Sequence, residues 1–331
     1  MNPISSPAPA FDVSRAHLQD YLDTDKFPAR LEISDSVPLR DALAEGRIAP
    51  ETEMLSFEQE GILYTFPMQM ILSYNVIQGQ ISPEKPWVMT FCNACNTGVV
   101  FDPTVNGQLR HFERRGAYDG LMLIHDAETG SFWQHITGEA LHGVSVGQRL
   151  RMIANTRRVT AAEAAARATP VLLLSAPLTP EQQKLARYTT KMTANPEIAQ
   201  EAITSTFNPT AEDTRRPRFE LGLGVWTDDH SIFYPLTSLH MHDNIVRTTF
   251  AGRPLLVYQA PDAFSPSAVY LDTRTAYWEG DILRLDQGMT LRHEVLYDAN
   301  GAVLPLERPN QLLMRWFGFA FTFPGTHLPD F

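Results

Sequence analysis

Three segments of the chain recur in the same order further along the sequence. Residues 64–77 (YTFPMQMILSYNVI) resemble 233–246 (FYPLTSLHMHDNIV), 85–91 (KPWVMTF) resemble 253–259 (RPLLVYQ), and 98–102 (GVVFD) resemble 268–272 (AVYLD). Single matches between apolar strands are common, but an ordered set of three is typical of a duplication. The sequence therefore predicts two related halves.

This repeat divides the chain into four regions. We predict an N-terminal arm with a short helix over 1–59, a first repeat over 60–174, a helical and loop insert over 175–229, and a second repeat over 230–331. Only the first repeat contains cysteine, at Cys92 and Cys95. Any chemistry that depends on cysteine is therefore expected in the first half.

Short β-branched and aromatic runs separated by turn residues predict successive antiparallel strands at 87–92, 98–102, 108–114 and 121–125. Thr160 and Thr179 each begin a capping-box pattern that predicts a helix, the second one broken at Asn195-Pro196. The predicted fold class is α+β: two related, mainly antiparallel β units with short helices, packed face to face.

The segment WFGFAFTF at 316–323 supports two interpretations. Its alternating phenylalanines favour a strand, whereas its place in the repeat corresponds to the predicted helix that begins after Thr160. Because duplicated halves usually keep their element types, we predict a helix over 311–321. Its aromatic side chains are expected to wall a cavity between the halves.

Charge and hydropathy restrict the partners of the chain. With 27 Lys and Arg against 38 Asp and Glu, the net charge is −11, which disfavours nucleic acid. We expect no membrane contact, because no apolar stretch approaches the roughly 18 residues of a membrane helix, and no secretory signal is expected. Two cysteines three positions apart do not staple a fold, so the predicted compartment is a reducing cytoplasm. A small molecule is the expected partner, and the sequence predicts no oligomeric state.

The CxxC motif of Cys92 and Cys95 is the sharpest chemical signal. A strand pattern follows it, whereas a thioredoxin-like redox pair opens a helix. A metal site needs further ligands, for which the nearby histidines are candidates: His111, His125, His135 and His142. Three interpretations stay open, namely a metal site, a nucleophilic Cys92 with a distant histidine, and two core cysteines.

Several other residues are ambiguous between function and structure. Asp126 either lines the mouth of a site or closes an Asx-type turn beside a core tryptophan, Trp133. Arg114 or Arg115 either contacts an anionic substrate or lies on a solvated strand edge. Gly222-Leu223-Gly224 lacks the third glycine of a dinucleotide-binding loop, so no such cofactor is predicted.

Two longer motifs carry a family resemblance. FCNACNTGVVFD at 91–102, followed by HDAETGSFWQHITGEALHG at 125–143, resembles the CPLCG-like and YDRETGSLW-like motifs of the bacterial and archaeal domain-of-unknown-function family 3179. In the second half, YPL at 234–236, GRPL at 252–255 and FPGT at 323–326 match more weakly. The resemblance extends from about Pro38 onward, and it implies no particular chemistry.

The sequence thus predicts an enzyme or metal-dependent protein that acts on a small molecule at a site around Cys92. The alternative is a non-catalytic ligand-binding module with the cysteines in its core. The candidate residues are, for catalysis, Cys92, His125 and Asp126; for substrate binding, Arg114, Arg115 and Trp133; and for a transition metal such as zinc or copper, Cys92, Cys95, His125 and His135. The two sulfurs are expected at the end of a central strand, pointing into a concavity, with a histidine nitrogen within about 5 Å if a metal site exists.

Overall fold

The structure is a computed structural model that describes residues 11–12, 16–18, 30–33, 35–82, 84–167, 169–203, 212–261 and 263–329. Most of residues 1–34, the first part of the predicted N-terminal arm, lies outside these residues. The elements up to residue 126 are β1 (Ala16–Leu18), β2 (Leu31–Ile33), β3 (Val37–Pro38), α1 (Leu39–Ala44), β4 (Glu53–Gln59), β5 (Ile62–Pro67), α2 (Met68–Tyr74), β6 (Val76–Gln80), β7 (Pro86–Cys92), β8 (Thr97–Asp102), β9 (Thr104–Val105), β10 (Gln108–Leu109), β11 (Phe112–Tyr118) and β12 (Leu121–Asp126).

The chain continues with a long strand, a helical segment and a second group of strands. The elements up to residue 203 are β13 (Phe132–Gln134), β14 (Ala140–His142), β15 (Arg151–Thr160), α3 (Ala161–Ala165), β16 (Val171–Leu173), α4 (Pro180–Ala194) and α5 (Pro196–Ile203). Those that follow are β17 (Leu221–Trp226), β18 (Ser231–Pro235), α6 (Leu236–Met241), β19 (Ile245–Phe250), β20 (Arg253–Tyr258), β21 (Ser267–Tyr270), β22 (Ala276–Glu279), β23 (Ile282–Leu285), a 3₁₀ turn (Asp286–Gly288), β24 (Thr290–Arg292), β25 (Val295–Tyr297), β26 (Val303–Leu304), β27 (Asn310–Arg315) and α7 (Trp316–Thr322).

The architecture is mixed α/β and dominated by antiparallel strands. A nine-stranded sheet has the order β2-β6-β7-β8-β15-β4-β5-β16-β3, and only its β2–β6 and β16–β5 pairs are parallel. Four smaller sheets of three or more strands have the orders β1-β11-β12-β13-β14, β18-β17-β27, β19-β20-β21 and β22-β23-β24-β25-β26. The predicted combination of antiparallel sheets and short helices is therefore confirmed.

The long strand β15 holds the nine-stranded sheet together. Its first half pairs with β8 and its second half with β4, and the register shifts between Met152 and Ala154. Side chains of neighbouring strand residues point to opposite faces. Arg157 and Arg158 in β15 therefore lie on opposite faces of the sheet.

The helix starts follow the predicted capping chemistry. The hydroxyl of Thr160 accepts a hydrogen bond from the backbone N–H of Glu163 at the start of α3. Thr179 and Gln182 form the complete capping box of α4. The helical region breaks between α4 and α5 at Asn195 and Pro196, as the sequence predicts.

The two segments that resemble each other in sequence contain the same order of elements. The first has β5, α2, β6, β7 and β8, and the second has β18, α6, β19, β20 and β21. In each, the last three strands are antiparallel neighbours in chain order. The two segments differ after the last of these strands. In the first, β8 pairs with β15. In the second, the side-chain amide of Gln311 in β27 bonds to the backbone N–H and the backbone carbonyl of Ala268 in β21.

The predicted helix over 311–321 is partly wrong. Its first five residues belong to strand β27, which pairs with β17, and the helix α7 begins at Trp316. Each of these residues pairs with a residue of β17 in an antiparallel ladder. Strand pairing therefore prevails over the helical spacing of the apolar residues. The aromatic side chains of Trp316, Phe317 and Phe319 are buried in the main core.

Two glycines in β17 make room for the aromatic packing. A Cβ at Gly222 would lie 2.5 Å from the ring of Phe233, and a Cβ at Gly224 would clash with the ring of Phe319. The Gly-Leu-Gly pattern thus has a packing function, because only residues without a side chain fit beneath these rings.

Candidate functional site

The CxxC motif lies in the turn between two interior strands. Cys92 ends β7 and pairs in register with Thr97 of β8. Cys92 and Cys95 form a disulfide, with Cα atoms 5.2 Å apart, and the backbone N–H of Cys95 donates to the sulfur of Cys92 over 3.1 Å. The predicted position at the end of a central strand is confirmed, but both sulfurs are enclosed in the core and do not face an open concavity.

Buried amides on both sides fix the shape of this turn. Asn75 adopts the left-handed backbone conformation at the end of α2, and its amide donates to the carbonyl of Phe91 and to the side chain of Asn93. The side-chain oxygen of Asn75 accepts a hydrogen bond from Arg114. On the other side, the side-chain oxygen of Asn96 accepts from Arg158 of β15. The backbone around both cysteines is therefore tied to three neighbouring elements.

Arg315 connects the CxxC turn to the C-terminal half. Its side chain is almost fully buried and donates to three backbone carbonyls, those of Ala94, Met192 and Thr193. The backbone N–H of Arg315 donates to the carbonyl of Cys95 over 2.9 Å. Burial lowers the pKa of the guanidinium to about 10, so the group stays charged at neutral pH.

His135 completes the cluster from a distant part of the chain. It follows β13, is fully buried, and places its Nε2 atom 3.8 Å from the sulfur of Cys95. This distance meets the expectation of a histidine nitrogen within about 5 Å of a cysteine. The Nδ1 atom has no hydrogen-bond partner among the described residues. Burial lowers the pKa of the ring to about 3, so the imidazole is neutral across the physiological range.

The three side chains form a compact set of donor atoms. Both sulfurs and one ring nitrogen lie within 4.8 Å of one another, and all three residues are buried. Thiolate sulfur and neutral imidazole are the ligands that soft and borderline transition metals prefer. In the disulfide form the sulfurs are bonded to each other, so metal binding requires reduction first.

Several other predicted residues lie elsewhere. Asp126 is buried and accepts hydrogen bonds from the backbone and hydroxyl of Thr129 and from the indole of Trp133, at 2.7–2.8 Å. Trp133 is fully buried. This is the arrangement of the Asx-type turn beside a core tryptophan, which the sequence left open as one interpretation.

His125 lies outside the sulfur cluster. It stands opposite Glu113 in the β11–β12 ladder, with 3.8 Å between its Nδ1 atom and the carboxylate. Burial lowers its pKa. Arg114 contacts Asn75 beside the CxxC turn, whereas Arg115 is half-buried further along β11. The structure thus brings only His135, of the predicted histidines, into contact with the cysteines.

A second charged cluster lies in a cleft of about 530 Å³ that β4 and β15 form with β25 and β26. Its charged residues of intermediate exposure include Arg157, Arg167, Glu294 and Arg308. Sequence reasoning missed these residues and Arg315, because tertiary packing brings their partners together and no local pattern marks them.

The family comparison agrees with the motifs around this turn. The model of the family described as "Protein of unknown function (DUF3179)" matches residues 31–326. The chain belongs to this family. The DUF3179 match covers both the CxxC half and the half without cysteine, so the two are parts of one family unit. No curated protein and no solved structure matches the chain. Among the described residues of this DUF3179 protein, no helix is long and apolar enough to span a membrane.

Proposed function

We propose that the reduced protein binds one soft transition-metal ion, copper(I) or zinc, between Cys92, Cys95 and His135. The observation that carries this proposal is the convergence of two sulfurs and one imidazole nitrogen within 4.8 Å in the core. His135 is 40 positions from Cys95, so local chain geometry does not explain their contact.

The protonation state of the histidine supports metal binding. A metal ligand must be deprotonated, and a ring whose pKa is about 3 loses no affinity to protons at neutral pH. The number of ligands also favours copper(I) over zinc. Copper(I) accepts few, soft ligands, whereas zinc prefers four and would need one more beyond these three.

Metal analysis of the purified, reduced protein tests this proposal. We expect one equivalent of copper(I) or zinc to be retained after gel filtration, and the Cys92→Ser, Cys95→Ser and His135→Gln variants to lose most of it. The matched control is His142→Gln, an exposed histidine in the same half. Absence of metal from the fully reduced protein, after incubation with each ion, would contradict the proposal.

A two-electron thiol–disulfide couple is the second candidate. The bond between Cys92 and Cys95 favours it, and the same pair of sulfurs serves both states. Alkylation before and after reduction, read by mass spectrometry, separates the two. A pair that resists alkylation until a reductant is added supports the redox function, and a pair that reacts at once excludes a resting disulfide.

The wider assignments are proposals too. A small-molecule reaction at Cys92 with His125 and Asp126 stays a prediction, and so does a substrate contact through Arg114, Arg115 or Trp133. We propose a reducing cytoplasm as the compartment, because the metal-binding form needs free thiols. The shared order of strand, helix and three antiparallel strands supports the proposed duplication over 60–174 and 230–331, with the insert at 175–229 between them.

A further inference from the structure

The cleft beside β15 has the size and lining of a small-molecule site. Its volume of about 530 Å³ is within the range of ligand pockets, roughly 300–1,000 Å³. Apolar side chains from both sides line part of it, among them Leu63, Val159, Leu296 and Leu306. The remaining wall carries the guanidinium groups of Arg157, Arg167 and Arg308.

Glu294 organises two of these arginines. One carboxylate oxygen lies 2.8 Å from the guanidinium of Arg157, and the other lies 2.8 Å from that of Arg308. The carboxylate also accepts hydrogen bonds from the hydroxyls of Tyr258 and Ser267. Burial alone would raise the pKa of Glu294, but the two arginines outweigh it and hold the pKa at about 2. The carboxylate is therefore charged, and both of its oxygens have partners.

Positive charge exceeds negative charge in the inner part of the cleft. Three arginine side chains with 12–23% exposure surround one carboxylate with 10% exposure. The other carboxylates of the lining are nearer solvent or engaged: Glu58, 42% exposed, pairs with Arg167, and Glu60 pairs with Lys85 outside the cleft. Glu163 lies on the adjoining helix α3. Each arginine has a carboxylate partner, but the three guanidinium groups share two carboxylates, so one positive charge of the inner cleft remains for an added anion.

Three polar atoms of the lining have unused hydrogen-bonding capacity. They are Nε of Arg157, Nε of Arg167 and the hydroxyl of Thr169, all buried and without a partner within the part of the chain that the structure describes. The two Nε atoms can only donate a hydrogen bond, so an oxyanion satisfies them and a protonated amine does not. A buried donor without a partner destabilises the protein, and a bound oxygen removes that cost.

We propose that this cleft binds a small molecule with an apolar body and one carboxylate or phosphate group, held by Arg157, Arg167 and Thr169. The apolar wall accepts the body, and the arginine forks accept the oxyanion. This site uses none of the three proposed metal ligands, so it stands or falls independently of the metal.

Matched pairs of probes test the proposal on the full chain. Hexanoate and hexyl phosphate carry the two oxyanions, and hexanamide and hexanol are their uncharged counterparts. Calorimetric titration is expected to give saturable binding of at least one anion and none of the uncharged probes. In NMR spectra of the wild-type protein, the Nε–H signals of Arg157 and Arg167 should shift with the binding anion.

Variants locate the contact. Arg167→Gln is expected to weaken binding roughly 10- to 100-fold, the loss of one charge-assisted hydrogen bond, and Thr169→Val severalfold. The control, Arg284→Gln, changes an arginine paired with Glu279 outside the cleft and should bind as the wild type does. If Arg167→Gln does not fold, Thr169→Val and the wild-type Nε–H shifts decide. Failure of both anions to bind, equal binding of the uncharged probes, or unmoved Nε–H signals would overturn the proposal.

Discussion

The Nε2 atom of His135 lies 3.8 Å from the sulfur of Cys95 in the protein core. The helix α7 passes close by, since a Cβ at Gly318 would lie 3.6 Å from the Cβ of Cys95. Arg315, just before that helix, donates to the carbonyl of Ala94 within the same turn. The cluster of Cys92, Cys95 and His135 is therefore enclosed in part by Arg315 and α7, which lie more than 200 positions further along the chain than Cys95.

The buried imidazole predicts a specific loss of stability in mild acid. The pKa of His135 is about 3 in the folded protein, below its usual 6.5, so the unfolded state binds the extra proton. Stability is full at high pH and falls as pH drops below 6.5, until the folded pKa is reached. From about pH 8 to about pH 5 this amounts to about 2 kcal/mol.

Urea unfolding across this pH range, on the metal-free protein with the Cys92–Cys95 disulfide intact, measures the effect. We expect the free energy of unfolding of His135→Asn to fall by about 2 kcal/mol less than that of the wild type over this range. His240→Asn, at an exposed histidine, should keep the wild-type slope. Parallel curves for the wild type and His135→Asn would show that the ring is not buried as a neutral group.

The Glu294 cluster predicts a large effect of a single neutral substitution. Glu294→Gln removes the charge that holds Arg157 and Arg308 together and leaves two buried cations without a counterion. We expect it to lower the free energy of unfolding by about 3–5 kcal/mol. Glu307→Gln, which breaks an exposed pair with Arg253, should have no measurable effect in the same urea titration. Equal unfolding midpoints for the two variants would contradict the cluster.

The packing of α7 against β17 predicts that Gly224→Ala is destabilising. The added methyl group overlaps the ring of Phe319, and overpacking of this kind costs roughly 1–3 kcal/mol. A double-mutant cycle with Phe319→Leu, which shortens the overlapping side chain, should make the cost of Gly224→Ala smaller. Additive effects in thermal or urea unfolding would mean that the two residues are not in contact.

Local patterns in the sequence predicted most of the local structure. Thr160 and Thr179 mark their helices because capping is a short-range interaction, and the strands around Cys92 follow from their turn residues. The 311–321 prediction shows where such reasoning stops. Its helical stripe is real from Trp316 onward, but pairing with β17, which is distant in sequence, makes the preceding residues a strand.

The site was predictable in part, for the same reason. The CxxC spacing identifies two of the three clustered residues. His135 was one of four candidate histidines in the sequence, and only the fold shows that it contacts Cys95. Nothing local distinguishes Glu294, because its partners Arg157 and Arg308 are fixed only by tertiary packing. Chemistry that lies within one turn is visible in sequence, whereas chemistry assembled across sheets is not.

X-ray absorption at the metal edge of the reduced, metal-loaded protein tests the central claim most directly. Two sulfur ligands at about 2.3 Å and one nitrogen at about 2.0 Å are expected for zinc, and the same two-sulfur, one-nitrogen set for copper(I). The Cys92→Ser variant should lose one sulfur, and His135→Gln the nitrogen. A first shell of oxygen and nitrogen without sulfur, or a spectrum unchanged in both variants, would contradict the assignment of Cys92, Cys95 and His135 as the metal site.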